Sequence, residues 1–166
     1  MIKIINIKSS DALKQITEYK NKLFSMHDIR LENVHLRKIN ELVRKNIFSK
    51  NDLFVNSTSL WEMMQPQGKQ GGHHYHDLTP EEVLDALNNI ISPYCIFKTK
   101  QNRLSIILSC ACYKDNPLMA VVELDADLID TKNAKINKLV SLYPKSDIEK
   151  MIESIDRKRI LYINKL

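Results

Sequence analysis

A short segment of the chain, GGHHYHDLTPEE at residues 71–82, concentrates side chains that could do chemistry. It holds three of the five histidines, His73, His74 and His76, within four positions. Imidazole has an unperturbed pKa near neutrality, so it suits both proton transfer and metal binding. The three histidines lack the i,i+4 spacing of helical zinc ligands, and no cysteine or acidic partner is arranged nearby in a recognised pattern. The segment therefore favours acid–base chemistry, with a metal site that includes Asp77 as the alternative.

Several other chemistries are excluded by the absence of their motifs. The chain contains only three glycines, and it has no phosphate-cradling glycine motif, Cys-x-x-Cys pair or Gly-x-Ser-x-Gly elbow. RNA cleavage needs only side chains, because the ribose 2′-hydroxyl is itself the nucleophile. Histidine can move the protons, lysine or arginine can stabilise the phosphate, and tyrosine can donate a proton or stack on a base. This reaction requires no metal and no cofactor, and we expect none.

The distribution of charge is compatible with a polyanionic partner. The chain has 166 residues, enough for one domain, and a formal net charge of +5. The net charge is +6 over residues 1–50, −6 over 51–130 and +5 over 131–166. A basic surface built from both ends would attract a polyanion such as RNA. The alternative is that lysines and arginines merely solvate helices.

The sequence contains no obvious targeting segment. No apolar run approaches the ~18 residues of a membrane span, and the N-terminus lacks the apolar stretch and cleavage site of a signal peptide. The three cysteines are an odd number, and Cys110 and Cys112 lie two residues apart in an apolar run. We interpret all three as reduced core thiols of a cytoplasmic protein.

The patterns of apolar residues predict an α+β fold. Residues 2–6 and 53–56 look extended, and helices are expected after Ser10 and over residues 33–47. Thr79, Pro80 and Glu82 have the signature of a capped helix. From Tyr94 onwards, β-rich runs alternate with short polar turns. A last helix with Ser146 as its cap precedes a final strand, RILYINK. The prediction is of N-terminal helices packed on a four- to five-stranded antiparallel sheet, with one helix before the last strand.

The chain resembles a known family over roughly residues 52–166. The order of the segments HDLTPEEVLDALNNIISPYCIFKT, RLSIIL, MAVVELD, INKLVSLYPK and ILYINK is similar to that in the C-terminal toxin-like domains of phage MuF proteins. These are grouped with the barnase–EndoU–colicin–RelE-like (BECR) nuclease domains, abbreviated PBECR. The resemblance implies a BECR-like fold and a metal-independent ribonuclease toxin that acts on RNA in phage–host or inter-bacterial conflict. Residues 1–51 would be a helical extension, and an acidic immunity protein would be a partner.

The resemblance also places His76 at the histidine that precedes the family's capped helix. We expect His76 to transfer protons, with His74 in reserve, and Ser141, Tyr143 and Lys145 to contact the phosphate. Pro144 stands where the family usually has a glycine. Each of these residues also has an ordinary structural interpretation: a loop histidine, a tolerated serine, a core tyrosine or a solvated lysine. Further candidates for binding the substrate are Arg103, Ser105, Asn164 and Lys165.

The predicted reaction is transesterification to a 2′,3′-cyclic phosphate. Two alternatives use the same basic surface without catalysis. The first is a module that binds RNA or a protein partner. The second is a phage accessory or structural protein whose basic ends contact DNA or other subunits.

Overall fold

A computed structural model of the chain describes residues 2–68, 74–100, 102–129, 131 and 133–164. The strands are β1 (Lys3–Asn6), β2 (Asp28–Glu32), β3 (Leu53–Asn56), β4 (Pro93–Lys98), β5 (Arg103–Tyr113), β6 (Asn116–Asp127), β7 (Lys135–Pro144) and β8 (Ile160–Ile163). The helices are α1 (Ala12–Asn21), α2 (Arg37–Val43), α3 (Ser57–Met63), α4 (Pro80–Asn89) and α5 (Ile148–Ser154). A 3-10 turn, Arg157–Arg159, leads into β8.

The strands form one mixed sheet in the order β1-β2-β3-β7-β6-β5-β4-β8. The pairs β1–β2 and β3–β7 are parallel, and the other neighbours are antiparallel. The predicted four- to five-stranded antiparallel sheet with N-terminal helices is therefore wrong. The first 56 residues supply three strands as well as helices. Strand β2, DIRLE, was not predicted from the sequence. Three of its five residues are charged, so the alternation of apolar side chains is limited to Ile29 and Leu31, which face the core.

The N-terminal strands are joined to the rest of the domain through side chains as well as backbone. Asp28 on β2 is buried, and its Oδ1 lies 3.1 Å from Lys138 Nζ on β7. Its Oδ2 accepts a hydrogen bond of 2.7 Å from the backbone N–H of Ile129. A buried carboxylate requires such partners, because desolvating an unpaired charge is costly. One core cluster also contains residues from both parts, such as Ile16 and Leu108.

Helix α4 begins where the sequence predicts, and its capping box is confirmed. The Thr79 hydroxyl accepts a bond of 3.1 Å from Glu82 N, and Glu82 Oε1 accepts one of 2.9 Å from Thr79 N. The helix buries Val83, Ala86 and Leu87, and it packs on β5. These contacts give α4 a fixed position, so the residues that immediately precede Thr79 also have a defined place.

The opposite face of the sheet carries a second apolar cluster. One row across the strands contains Cys95, Ile107, Met119 and Tyr143, which are paired in register. The apolar side chains of α5 and the following loop cover this row: Ile148, Met151, Ile152 and Ile155. The predicted Ser146 cap of α5 is wrong, since the N-cap is Asp147 in the left-handed region, with φ 52° and no side-chain cap. Likewise α1 is preceded by Asp11, not Ser10, at its N-cap.

The burial of the three cysteines tests the prediction that they are core thiols, and the lengths of the helices test for membrane spans. Cys95 is buried, and its burial raises the pKa of the thiol to about 11. Cys110 and Cys112 are exposed, so the interpretation of all three as core thiols is wrong for this pair. Within the described part of the chain, no helix is both long enough and apolar enough to cross a membrane.

Candidate active site

The segment that carries His76 is held between α3 and α4 by backbone hydrogen bonds. Asp77 N donates to Gln65 O at 2.8 Å, and Leu78 N donates to Met63 O at 3.1 Å. Leu78 is buried in the core, whereas Asp77 has a positive φ of 58°. The Asp77 carboxylate also accepts a bond of 2.9 Å from the Tyr113 hydroxyl on β5. These contacts anchor the chain immediately after His76.

His76 lies against the end of β7. Its Nε2 is 3.4 Å from Ser141 Oγ, and its ring centroid is 5.5 Å from that of Tyr143, with the two rings inclined by 30°. Strand β3 pairs with β7 over Leu53–Val55 and Asn137–Leu139. The stretch of β7 that carries Ser141 and Tyr143 follows this pairing. The structure therefore brings His76, Ser141 and Tyr143 together as one cluster.

Ser141 and Tyr143 share a face of β7 because side chains alternate along a strand. Their partners on β6 are Val121 and Met119, and a register shift between Val121 and Val122 precedes them. The intervening Leu142 is buried on the opposite face in the helix-covered core. Tyr143 packs against the second apolar cluster through its ring. The cluster with His76 is therefore on the face of the sheet that α5 only partly covers.

Burial changes the proton affinities of both ring side chains. Burial lowers the pKa of His76 below its ordinary value of 6.5, and the nearby His74 lowers it further. Burial raises the pKa of Tyr143 above 10.0. His76 is consequently neutral and Tyr143 protonated at pH 7, which gives the cluster one base and one proton donor.

Ser105 lies in the same cross-strand row as Ser141. Ser105 on β5 pairs with Val121 on β6, which in turn pairs with Ser141 on β7. Two strand spacings separate the serines by roughly 10 Å. Ser105 is only 1% exposed, so its burial limits direct contact with a ligand. Arg103 precedes it by two residues on the same face, and its Nε is 4.0 Å from Glu123 Oε1.

The remaining candidates are spread more widely. Lys145 N donates to Pro117 O at 3.0 Å, so the β7 pairing continues past Tyr143, and alternation puts Lys145 on the face of Ser141 and Tyr143. His74 is exposed. Asn164 N donates to Tyr94 O at 2.7 Å beside β8, four strand spacings or roughly 19 Å across the sheet from β7. His73 and Lys165 lie outside the described residues.

Sequence reasoning missed two features around this site. The first is Tyr113, whose hydroxyl holds Asp77 although 36 positions separate them. The second is Lys138, which is opposite Glu123 and pairs with Asp28. No local sequence pattern connects these residues, since their contacts depend on strand register. His27, in the N-terminal part of the chain, accepts a bond of 2.7 Å at Nε2 from the Tyr19 hydroxyl when its Nδ1–H donates to Ser25 O.

The alternative of a metal site has no further support in the described residues. Among them, no group of three or more histidine, cysteine, aspartate or glutamate side chains is arranged to hold a metal ion. The pair of His74 and His76 has Asp77 nearby in sequence, but the Asp77 carboxylate is engaged by Tyr113.

Comparison with known protein families identifies a match for the C-terminal part of the chain. Residues 67–166 match the family model described as the phage MuF C-terminal domain. The matched segment is more than half of the 166 residues, and it includes α4, the strands β4–β8 and the cluster of His76, Ser141 and Tyr143. No curated protein and no solved structure matches the chain.

Proposed function

The chain belongs to the phage MuF C-terminal domain family, and from this premise we propose that it is a metal-independent endoribonuclease toxin used in phage–host or inter-bacterial conflict. The contact of His76 with Ser141 and Tyr143 is the observation that carries the proposal. It joins a neutral imidazole and a protonated phenol at one partly exposed edge of the sheet. The resemblance to the BECR nucleases supplies the substrate class, and the net charge of +5 suits a polyanion.

The proposed reaction is an internal transesterification of RNA. His76 accepts the proton of the ribose 2′-hydroxyl, and the 2′-oxygen forms a bond to phosphorus. The bond from phosphorus to the 5′-oxygen breaks, and Tyr143 donates a proton to that leaving oxygen. The products are a 2′,3′-cyclic phosphate and a 5′-hydroxyl. All proton transfers use side chains, so the reaction needs no metal.

Three further residues support this chemistry. Lys145 provides positive charge for the phosphoryl oxygens, which gain negative charge in the transition state. Ser141 orients the His76 ring through the 3.4 Å contact at Nε2. His74 lowers the pKa of His76, so more of the base is in its neutral form near pH 6.5. Such a toxin is expected to have an acidic immunity protein that covers this edge.

The deciding experiment is incubation of purified protein with total bacterial RNA in excess EDTA, with the product ends mapped. We expect discrete cuts that leave cyclic phosphates. The variant His76→Ala should lose roughly 10²- to 10⁴-fold in rate, the usual contribution of a general base. His35→Ala is the matched control, since His35 is exposed and in a different part of the chain.

Two outcomes would contradict the proposal. Cleavage that disappears in EDTA would indicate a metal-dependent nuclease. Absence of cleavage in several RNA pools would favour the non-catalytic module that binds RNA or a protein partner, and equal, strongly salt-dependent binding of duplex DNA and RNA would favour the phage accessory protein.

A further inference from the structure

A basic groove lies beside the turn between β4 and β5. Its volume is about 440 Å³, and its charged lining residues are Lys98, Lys100, Arg103 and Arg159. Every formal charge among the described residues that line it is therefore positive. Except for Arg159, the residues of the groove belong to the acidic middle part of the sequence. Folding therefore brings the few cations of this part together on one surface.

Arg159 is held in place before any ligand binds. Its Nε donates to Lys98 O at 2.8 Å, and its Nη2 donates to Thr99 O at 3.1 Å. A guanidinium has five N–H donors, so donors remain for a phosphate. The preceding Asp156 side chain accepts a bond of 3.1 Å from Lys158 N and caps the 3-10 turn. A prepositioned cation loses less conformational entropy on binding an anion than a free side chain does.

The turn itself is tied to the next strand. Leu124 N donates to Asn102 O at 2.7 Å, and Arg103 N donates to Lys100 O at 3.1 Å. Asn102 has a positive φ of 60°, a conformation that asparagine tolerates better than most residues. The backbone that carries the groove's cations is thus anchored to β6.

Of the groove's lining residues, Arg103 lies on the face of the sheet that carries the His76 cluster, whereas Leu104 and Leu124 belong to the core cluster on the opposite face. Arg103 shares a face with Ser105, and Ser105 is aligned with Ser141 through Val121. Two strand spacings and two residues along the strand give a separation of roughly 12 Å between Arg103 and Ser141. An RNA strand that runs along this face from the cluster therefore meets the groove at Arg103.

We propose that this basic groove binds the phosphate backbone of single-stranded RNA several nucleotides away from the scissile bond. The proposal rests on the proposed nuclease function and extends it from one phosphate to several consecutive nucleotides. Proteins that bind single strands combine a basic groove with aromatic rings on which bases stack. Here the rings are His76 and Tyr143, which are partly exposed, and the cations are those of the groove.

The first test measures binding without cleavage. The probe is a fluorescent 2′-O-methyl hexaribonucleotide, which lacks the free 2′-hydroxyl needed for the reaction, titrated with protein at several salt concentrations. Each phosphate contact on a single strand contributes about 0.7 to the slope of log affinity against log salt. We expect the double variant Lys98→Gln/Lys100→Gln to reduce this slope by about 1.4. The control Lys8→Gln/Lys14→Gln removes the same charge from exposed positions in the turn after β1 and on α1, and it should leave the slope nearly unchanged.

The second test separates this site from the catalytic cluster. The double variant at Lys98 and Lys100 should cut a hexaribonucleotide roughly tenfold more slowly at low substrate concentration. It should cut a dinucleotide, which has a single phosphate, at the wild-type rate. If the wild type cleaves no RNA but the slope still falls by about 1.4, the proposed function fails and the RNA-binding groove stands.

Other outcomes would overturn the groove as an RNA site. A slope equal to that of the wild type would mean that the lysines contact no phosphate. Equal losses in both double variants would indicate a nonspecific charge effect. Unchanged RNA affinity with weakened binding of an acidic peptide such as polyglutamate would assign the groove to an acidic protein partner.

Discussion

His76 Nε2 and Ser141 Oγ lie 3.4 Å apart although 65 positions separate the two residues in the chain. The contact joins the loop before α4 to the end of β7. The ring of Tyr143 also lies beside His76, with 5.5 Å between the two ring centroids. Each of these residues alone is unremarkable. Their combination on one edge of the sheet supports the proposed acid–base chemistry, which variants and a pH profile can test.

Removal of the Ser141 hydroxyl should weaken catalysis modestly. Ser141→Ala leaves the His76 ring without its partner at Nε2, and a neutral hydrogen bond of this kind contributes about 1 kcal/mol. We expect kcat/KM for RNA to fall roughly five- to tenfold with the fold intact by circular dichroism. The control is Ser154→Ala, because the Ser154 hydroxyl donates within its own helix, to Met151 O. A rate equal to that of the wild type would remove Ser141 from the site.

Loss of the Tyr143 hydroxyl should affect rate more than stability. Tyr143→Phe keeps the ring that packs in the second apolar cluster and removes the proposed proton donor. We expect a rate loss of roughly 10²-fold or more and a change in the free energy of unfolding below about 1 kcal/mol. Tyr94→Phe is the matched control, since Tyr94 packs against the same cluster. Equal rates for the two variants would contradict the assignment of Tyr143 as the acid.

The pH dependence of kcat/KM should follow the two shifted groups. His76 works as a base only when neutral, and its pKa lies below 6.5, so activity should be retained at pH 6.5 and lost as the pH falls further. Tyr143 must be protonated, and its pKa lies above 10.0, so the alkaline loss should begin above pH 10.

The variant His74→Ala tests the electrostatic contribution to this profile. Burial is the larger cause of the lowered His76 pKa, and His74 is the smaller one. Without the charge of His74, the acid limb should move slightly towards 6.5 while the maximal rate stays nearly constant. An acid limb that moves to lower pH, or a loss of rate as large as that of His76→Ala, would show that His74 itself is the base.

The cap of α4 should contribute to stability. Thr79→Ala removes the hydroxyl that accepts from Glu82 N and should reduce the free energy of unfolding by about 1 kcal/mol in urea titrations. Thr79→Ser retains the hydroxyl and should lie within a few tenths of a kcal/mol of the wild type. Because Thr79 follows His76 closely, the alanine variant should also lower activity. Equal stability of the alanine and serine variants would contradict this role of the cap.

The sequence alone was sufficient where the relevant forces are local. The capping box of Thr79 and Glu82 and the alternation of the β-rich runs after Tyr94 involve neighbours within a few positions, so they could be predicted. The same holds for the common face of Ser141 and Tyr143. Family membership was also recognisable, since it depends on the order of short segments.

Tertiary structure alone decided which distant segments meet. The parallel pairing of β3 with β7 and the addition of β1 and β2 to the sheet follow from long-range burial, for which short charged strands such as DIRLE give little local signal. Likewise, no spacing rule could place Tyr113 on Asp77 or Arg159 on the carbonyl of Lys98. Such contacts form only after the register and the connections of the strands bring the segments together. Strand pairing therefore determined the surroundings of the site and the basic groove.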